Sequence, residues 1–252
     1  MSTKFYIYNE VTNATLIPSS VNASFPASNL KDDRRTKVFR STSNSSDIVF
    51  DLGTSRPIDS FFIVDHTTSG FGVNSLTLEL NGTNEWSSPA FSQAITLDFD
   101  FGIGKAEFTE GNYRFARLVM TSTAGYCELS NVFIGKRTEY LDFDISYPLT
   151  LVNNNLSIIS KNRYGQRFID EVTTQRKIKG NLENMNQAEA DDVISWISYV
   201  SNTIPFFVSF DGVQSLTNSN RLNGMYYLNN EPGFTLNRGN YWSCSLDLEE
   251  ST

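Results

Sequence analysis

A chain of 252 residues is long enough for two ordinary domains. Its formal net charge of −8, with 20 Lys and Arg residues in no dense cluster, argues against a phosphate-binding surface and so against nucleic-acid recognition. Cys127 and Cys244 are the only cysteines and His66 the only histidine, which removes a disulfide framework and leaves almost nothing for a Cys/His zinc site. Aromatic residues make up 13% of the chain, and frequent Ser, Thr and Asn with little helical periodicity indicate a β-rich protein. No apolar stretch approaches the ~20 residues that a membrane helix needs, so no membrane insertion is expected. The start Met1-Ser2-Thr3-Lys4-Phe5-Tyr6 alternates like a strand and lacks the parts of a secretion signal, so synthesis in a cytoplasm is expected.

In chain order, the first clear element is an apolar strand over 48–53 that ends in an Asp51-Leu52-Gly53 turn. A second strand over 58–65 follows, and the two read as an antiparallel pair. Residues 75–80 alternate cleanly and end at Asn81-Gly82, a hairpin signal. Turn residues also cluster at 67–72 and 102–105, the regular punctuation of a sandwich. Residues 113–120 and 128–135 supply two further strand-like segments. The charged stretch 136–139 marks a boundary near residue 137, dividing a domain of 1–137 from one of 138–252.

Beyond the boundary, 140–150, 156–160 and a long polar run over 167–182 read as strands. A helix is predicted near 187–201: Asn186 can cap it, Glu189 completes a capping box, and Val193, Trp196, Ile197 and Val200 fall on one stripe facing the helix's own sheet. Pro205 ends it, and strands over 206–210, 225–228 and 241–249 close the chain.

The segments Ala27-Ser28-Asn29-Leu30, Phe39-Arg40-Ser41, 48–65, 113–120 and 128–135, in that order, resemble the discoidin-like family (galactose-binding-like, coagulation factor 5/8 type C). The resemblance implies an N-terminal jelly-roll β-sandwich over about the first half of the chain. It also implies a carbohydrate site in loops at one end of that sandwich, which here would carry Arg40, His66, Phe71 and Tyr126. Aromatic faces that stack on a sugar, beside an Arg or His that donates hydrogen bonds, are the required residue types. The alternative is that these side chains cap the sandwich or pack on a neighbouring subunit. A calcium ion near the first loop is also implied, with Asp32 and Asp33 as oxygen ligands. Lys31, Arg34 and Arg35 surround that pair, so a plain salt-bridged loop is the competing reading. No other cofactor is expected.

The second half resembles the tail-tube-type domain of tailed bacteriophages, used in distal tail and baseplate hub proteins. The resemblance is carried by the 176–180 strand, the helix from Ala188-Glu189-Ala190, the Ile204-Pro205-Phe206-Phe207 junction and the acidic end of the last strand. Together the halves imply a mainly β, structural virion protein of a phage tail tip. It would assemble in the host cytoplasm as a hexameric or trimeric ring that joins the tube to hub or receptor-binding proteins. Arg167, Arg176, Lys177 and Lys179 would lie on the ring-forming surface, with an ordinary solvated face equally compatible. The alternative function is a carbohydrate-binding adhesin or accessory module that recognises host glycan.

Catalysis is not expected. Asp98 and Asp100 alternate with Phe99 and Phe101, the pattern of a wet strand face rather than of a glycosidase pair. His66, at the end of an apolar strand, reads as a structural histidine. Both cysteines read as buried thiols that pack as small apolar groups.

Overall fold

The computed structural model describes residues 2–64, 72–100, 102–138, 145–155, 158–161, 163–164, 167–170, 174–211, 222–237 and 239–251. Its strands are β1 (Ser2–Tyr6), β2 (Thr15–Pro18), β3 (Phe39–Arg40), β4 (Ser45–Val64), β5 (Ser75–Asn81), β6 (Phe91–Ala94), β7 (Thr96–Asp98), β8 (Ile103–Thr121), β9 (Glu128–Leu129) and β10 (Asn131–Gly135). They continue with β11 (Ser146–Asn155), β12 (Ile158–Lys161), β13 (Arg167–Asp170), β14 (Thr174–Met185), β15 (Phe206–Asp211), β16 (Gly224–Leu228), β17 (Phe234–Leu236) and β18 (Trp242–Glu250). Helix α1 (Gln187–Val200) lies between β14 and β15 in the chain. The protein is therefore mainly β with antiparallel sheets, as the jelly-roll expectation required. Contacts divide it into two units: unit 1 holds Met1–Asp142 with Phe206–Met225 and Thr252, and unit 2 holds Phe143–Pro205 with Tyr226–Ser251.

Unit 1 is built on an antiparallel sheet in the order β10-β4-β8-β5-β6, with β2 added to β4 and β7 to β8. Alternation places Ile48 and Phe50 of β4, Leu76, Leu78 and Leu80 of β5, and Ala116, Leu118 and Met120 of β8 in one buried layer. Fully burying each of the larger aliphatic or aromatic side chains contributes about 1.5–3 kcal/mol. Elsewhere in the unit, β15 pairs with β1. There Phe207 stacks on Phe62 at 3.8 Å, and Tyr6 meets Phe62 edge-on at 4.4 Å. The Tyr6 hydroxyl donates to Glu107 at 3.0 Å, so this aromatic cluster buries no unsatisfied phenol.

The segments 48–53 and 58–65, read from the sequence as partners of each other, are halves of the single long strand β4, and both pair with β8. The Asp51-Leu52-Gly53 segment is an irregularity within it: Gly53 has φ 78°, and Asp51 Oδ1 accepts the Gly53 N–H at 2.9 Å. The ladder slips between Asp51 and Arg56 and then resumes. Asn81 likewise starts a wider connection than a two-residue hairpin, with its Nδ2 donating to Glu85 O at 2.6 Å before β6 returns beside β5.

In unit 2, β14 lies between β11 and β18, and β18 also pairs with β16 and β17. The long strand read over 167–182 is divided, because β13 pairs with β12 whereas β14 pairs with β11 and β18. Helix α1 begins as its sequence dictates. Asn186 Oδ1 accepts the Glu189 N–H at 3.1 Å, and Glu189 Oε2 accepts the Asn186 N–H at 2.6 Å. Ala190, Val193, Trp196, Ile197 and Val200 form its buried stripe, and the helix contacts β14 and β18.

Candidate functional site

The loops at one end of the unit 1 sandwich converge on Arg40. Strand β3 places it opposite Glu128 of β9, in a ladder of two residue pairs. Its backbone also anchors the preceding loop: Arg40 N–H donates to Phe25 O at 3.1 Å, and Arg40 O accepts the Asn22 N–H at 2.8 Å. Asn22 closes that loop as a tight turn, with Oδ1 accepting from Ser24 N–H at 3.0 Å and its carbonyl accepting from Phe25 N–H at 2.9 Å. On the other side, Ser41 N–H donates to Cys127 O at 2.9 Å, and Ser41 Oγ accepts the Cys127 N–H at 2.7 Å.

These ties bring two aromatic rings onto one guanidinium. The Arg40 Cζ lies 4.1 Å from the Phe25 ring centroid and 4.4 Å from that of Tyr126. Arg40 Nε donates to Glu128 Oε2 at 2.6 Å, and a terminal nitrogen lies 2.5 Å from the same oxygen. The side chain of Glu128 is 8% exposed and that of Arg40 27% exposed. A carboxylate this buried requires its cation, and the planar cation suits the slot between the rings as a Lys ammonium would not. Glu128 is itself tied by its N–H to Gly72 O at 3.1 Å. Gly72 has no room for a side chain, since a Cβ there would stand 2.5 Å from Glu128 Cβ. The result is a half-exposed donor held rigid between two half-exposed rings beside a buried acceptor. Among the described residues it offers hydrogen-bond donors and apolar ring faces, and no nucleophile with a paired base.

Of the predicted carbohydrate residues, the structure brings Arg40 and Tyr126 together, while His66 and Phe71 lie outside the described residues. Phe25 and Glu128 were not singled out as ligand-site residues. The only sequence signal for Phe25 is an isolated aromatic within the polar run Asn22-Ala23-Ser24-Phe25-Pro26. Arg117 has a related but single-ringed setting on the outer face of β5 and β8, with Trp86 at 4.8 Å and Glu79 at 2.7 Å.

The loop that carries Asp32 and Asp33 is closed by a side-chain ion pair. Both Asp32 oxygens are held by Arg34, at 2.8 and 2.6 Å, and this pairing lowers the Asp32 carboxyl to a pKa of about 2. Two carbonyls of the same loop accept side-chain donors: Asn131 Nδ2 reaches Asp32 O at 3.2 Å, and Ser130 Oγ reaches Arg35 O at 2.7 Å. Among the described residues, no group of three or more His, Cys, Asp and Glu side chains is placed to hold a metal. A carboxylate already bidentate to Arg, beside carbonyls already bonded, does not fit the set of six to eight oxygens that calcium takes.

The predicted ring residues lie on β14, between β11 and β18, apart from Arg167 of β13, whose side chain lies outside the described residues. Arg176 is bonded to Glu250 at 2.8 and 2.5 Å, Lys177 to Glu249 at 2.9 Å and Lys179 to Asp247 at 2.9 Å. Asp98 accepts the Asp100 N–H at 3.1 Å within a local turn.

No family model and no curated protein matches the sequence. Among solved structures, the chain is similar to a Streptococcus pneumoniae fucose binding module, SpX-3, at 13% identity and TM-score 0.45, covering 51% of this chain and 98% of that one. It is similar to the family 32 CBM from C. perfringens NanJ in complex with galactose, at 12% identity and TM-score 0.43, covering 52% and 98%. A third is chitosan-binding module 1 from the chitosanase/glucanase of Paenibacillus sp. IK-5, at 21% identity and TM-score 0.41, covering 51% and 99%.

Proposed function

We propose that unit 1 is a carbohydrate-binding module whose loop site is centred on Arg40. The observation that carries this reading is the guanidinium held between Phe25 and Tyr126 at 4.1 and 4.4 Å while Glu128 fixes its edge. Among the described residues, two of the five arginine donors serve Glu128, so donors remain for ligand hydroxyls. A frame of aromatic surface with a few fixed polar groups is what orients a sugar in a shallow site.

The sugars to try first are galactose, fucose and chitosan oligomers. Glycan-array binding by the wild type that is lost in Tyr126→Ala, with an unchanged far-UV circular dichroism spectrum, is the expected result. Binding that is absent in the wild type, or undiminished in a folded Tyr126→Ala, would overturn it.

The tail-tip ring ranks below this reading, because Arg176, Lys177 and Lys179 are each paired within their own chain. Light scattering with negative-stain imaging tests it: discrete rings would bring it forward, and a stable monomer would remove it.

A further inference from the structure

Two Asn-Gly pairs occur in the chain, Asn81-Gly82 and Asn223-Gly224. Such a pair is chemically weak, because a glycine has no side chain to hinder the attack of its backbone nitrogen on the preceding carboxamide. The fold treats the two differently. Asn223 is fully buried, and its Oδ1 accepts the N–H of Phe210 on the neighbouring strand at 2.7 Å. Gly224 is buried as well, so this carboxamide is locked by β15 and closed to water.

Asn81 ends β5 only partly buried, and Gly82 is exposed, with nothing among the described residues within 4 Å of where a Cβ would stand. Here Asn81 Oδ1 accepts the N–H of its own Gly82 at 2.9 Å. The Gly82 nitrogen is thus no more than one C=O bond, about 1.2 Å, further from Asn81 Cγ than from Oδ1, and a small rotation about Cα–Cβ brings the two together. The other end of the carboxamide is the tie that closes the loop, Nδ2 donating to Glu85 O at 2.6 Å. That loop carries Trp86, whose indole N–H donates to Asn84 Oδ1 at 2.8 Å and whose ring centroid lies 4.8 Å from Arg117 Cζ.

We infer that Asn81-Gly82 is a self-modifying site, where slow deamidation releases the loop that holds Trp86 over Arg117. The Gly82 nitrogen gives its proton to hydroxide and bonds to Asn81 Cγ. The Cγ–Nδ2 bond then breaks and ammonia leaves, which forms a five-membered imide. Water opens the imide at either carbonyl, giving aspartate or isoaspartate at position 81. The net change is one water consumed and one ammonia released, with no oxidant or cofactor. Either product carries a carboxylate in place of the donor to Glu85 O, and two facing acceptors repel. This inference does not rest on the Arg40 reading.

The test ages the full chain in warm, mildly alkaline buffer and maps its peptides by mass spectrometry. The readouts are a gain of one dalton and, by electron-transfer fragmentation, the isoaspartyl linkage. Position 81 is expected to convert while position 223 stays intact, and both are expected to convert in guanidinium chloride. Gly82→Ala, whose methyl group crowds the ring closure, is expected to slow conversion at 81 about tenfold. The loop itself is read by limited cleavage at Glu85 with a glutamate-specific protease. Asn81→Asp is expected to be cut there about fivefold faster than wild type, the open population gained on losing one hydrogen bond, with an unchanged far-UV circular dichroism spectrum. An intact position 81 in the folded chain after the unfolded chain has converted, or equal conversion at 81 and 223, overturns the inference. So does cleavage at Glu85 that is no faster in Asn81→Asp.

Discussion

Arg40 and Glu128 are cross-strand partners whose side chains meet at 2.6 Å, with the carboxylate the more deeply buried of the two. That asymmetry has an energetic consequence. Removing the cation leaves a charge in a poorly solvated place, so Arg40→Ala should cost about 3 kcal/mol of stability. Adding Glu128→Gln to that variant should return part of the loss, because the stranded charge is gone. Arg40→Lys keeps the charge but loses the planar stack on two rings, and should cost about 1–2 kcal/mol while abolishing sugar binding. Urea denaturation of the four proteins measures the series. A double variant less stable than Arg40→Ala would contradict the account.

Gly72 should tolerate no side chain. Its Cβ would stand 2.5 Å from Glu128 Cβ and 2.7 Å from Glu128 O, so Gly72→Ala must push the β9 strand away from Arg40. A cost of about 1–3 kcal/mol and weaker glycan binding are expected, as for other overpacked sites. Gly82→Ala is the control, since nothing lies within 4 Å of its Cβ, and it should stay within about 0.5 kcal/mol of wild type.

The two thiols should be inert in the folded protein. Burial pushes the Cys244 thiol up to about 12, and burial also raises Cys127 despite a hydrogen bond from Ser41. A colourimetric thiol reagent at neutral pH should label neither in buffer and both in denaturant. Rapid labelling of the native protein would show that one of them is accessible.

Acid should release the Asp32–Arg34 pair. The Arg34 hydrogen bond holds the Asp32 carboxyl at about 2, below its ordinary 3.8. A depressed carboxylate stabilises the fold fully above the higher value and loses that contribution as pH falls through the lower one. The gap in melting temperature between wild type and Asp32→Asn should therefore be constant above about pH 4.5, shrink between 3.8 and about 2, and close below that. A gap that persists below pH 2 would assign the effect to something other than titration.

Local chemistry was legible wherever neighbours in the chain decide the outcome. Asn186 and Glu189 cap α1 as their spacing requires, and β5 buries alternate residues as its pattern requires. The turn at Asp51-Leu52-Gly53 was legible as a break but not as a bulge, because only the continued pairing of Arg56 with Tyr113 keeps both halves of β4 on one partner. Of the loop site, Arg40 and Tyr126 could be named from residue type and place. Phe25 could not, since nothing near it in sequence records that Arg40 accepts from the Asn22 N–H and donates to the Phe25 carbonyl, which closes the turn against β3.

By itself, then, the sequence determined the β-rich class, the capped helix, the aliphatic alternation of the core and the lack of a Cys/His metal set, because composition and short-range periodicity suffice for each. Tertiary structure alone decided that β15 completes a pair with β1, that Glu128 neutralises Arg40 between two rings, and that the cations of β14 are matched by the acids of β18. Each of those depends on register between segments distant in the chain. A shift of one residue in a strand turns every side chain to the opposite face, and no local pattern specifies which partner strand fixes that shift.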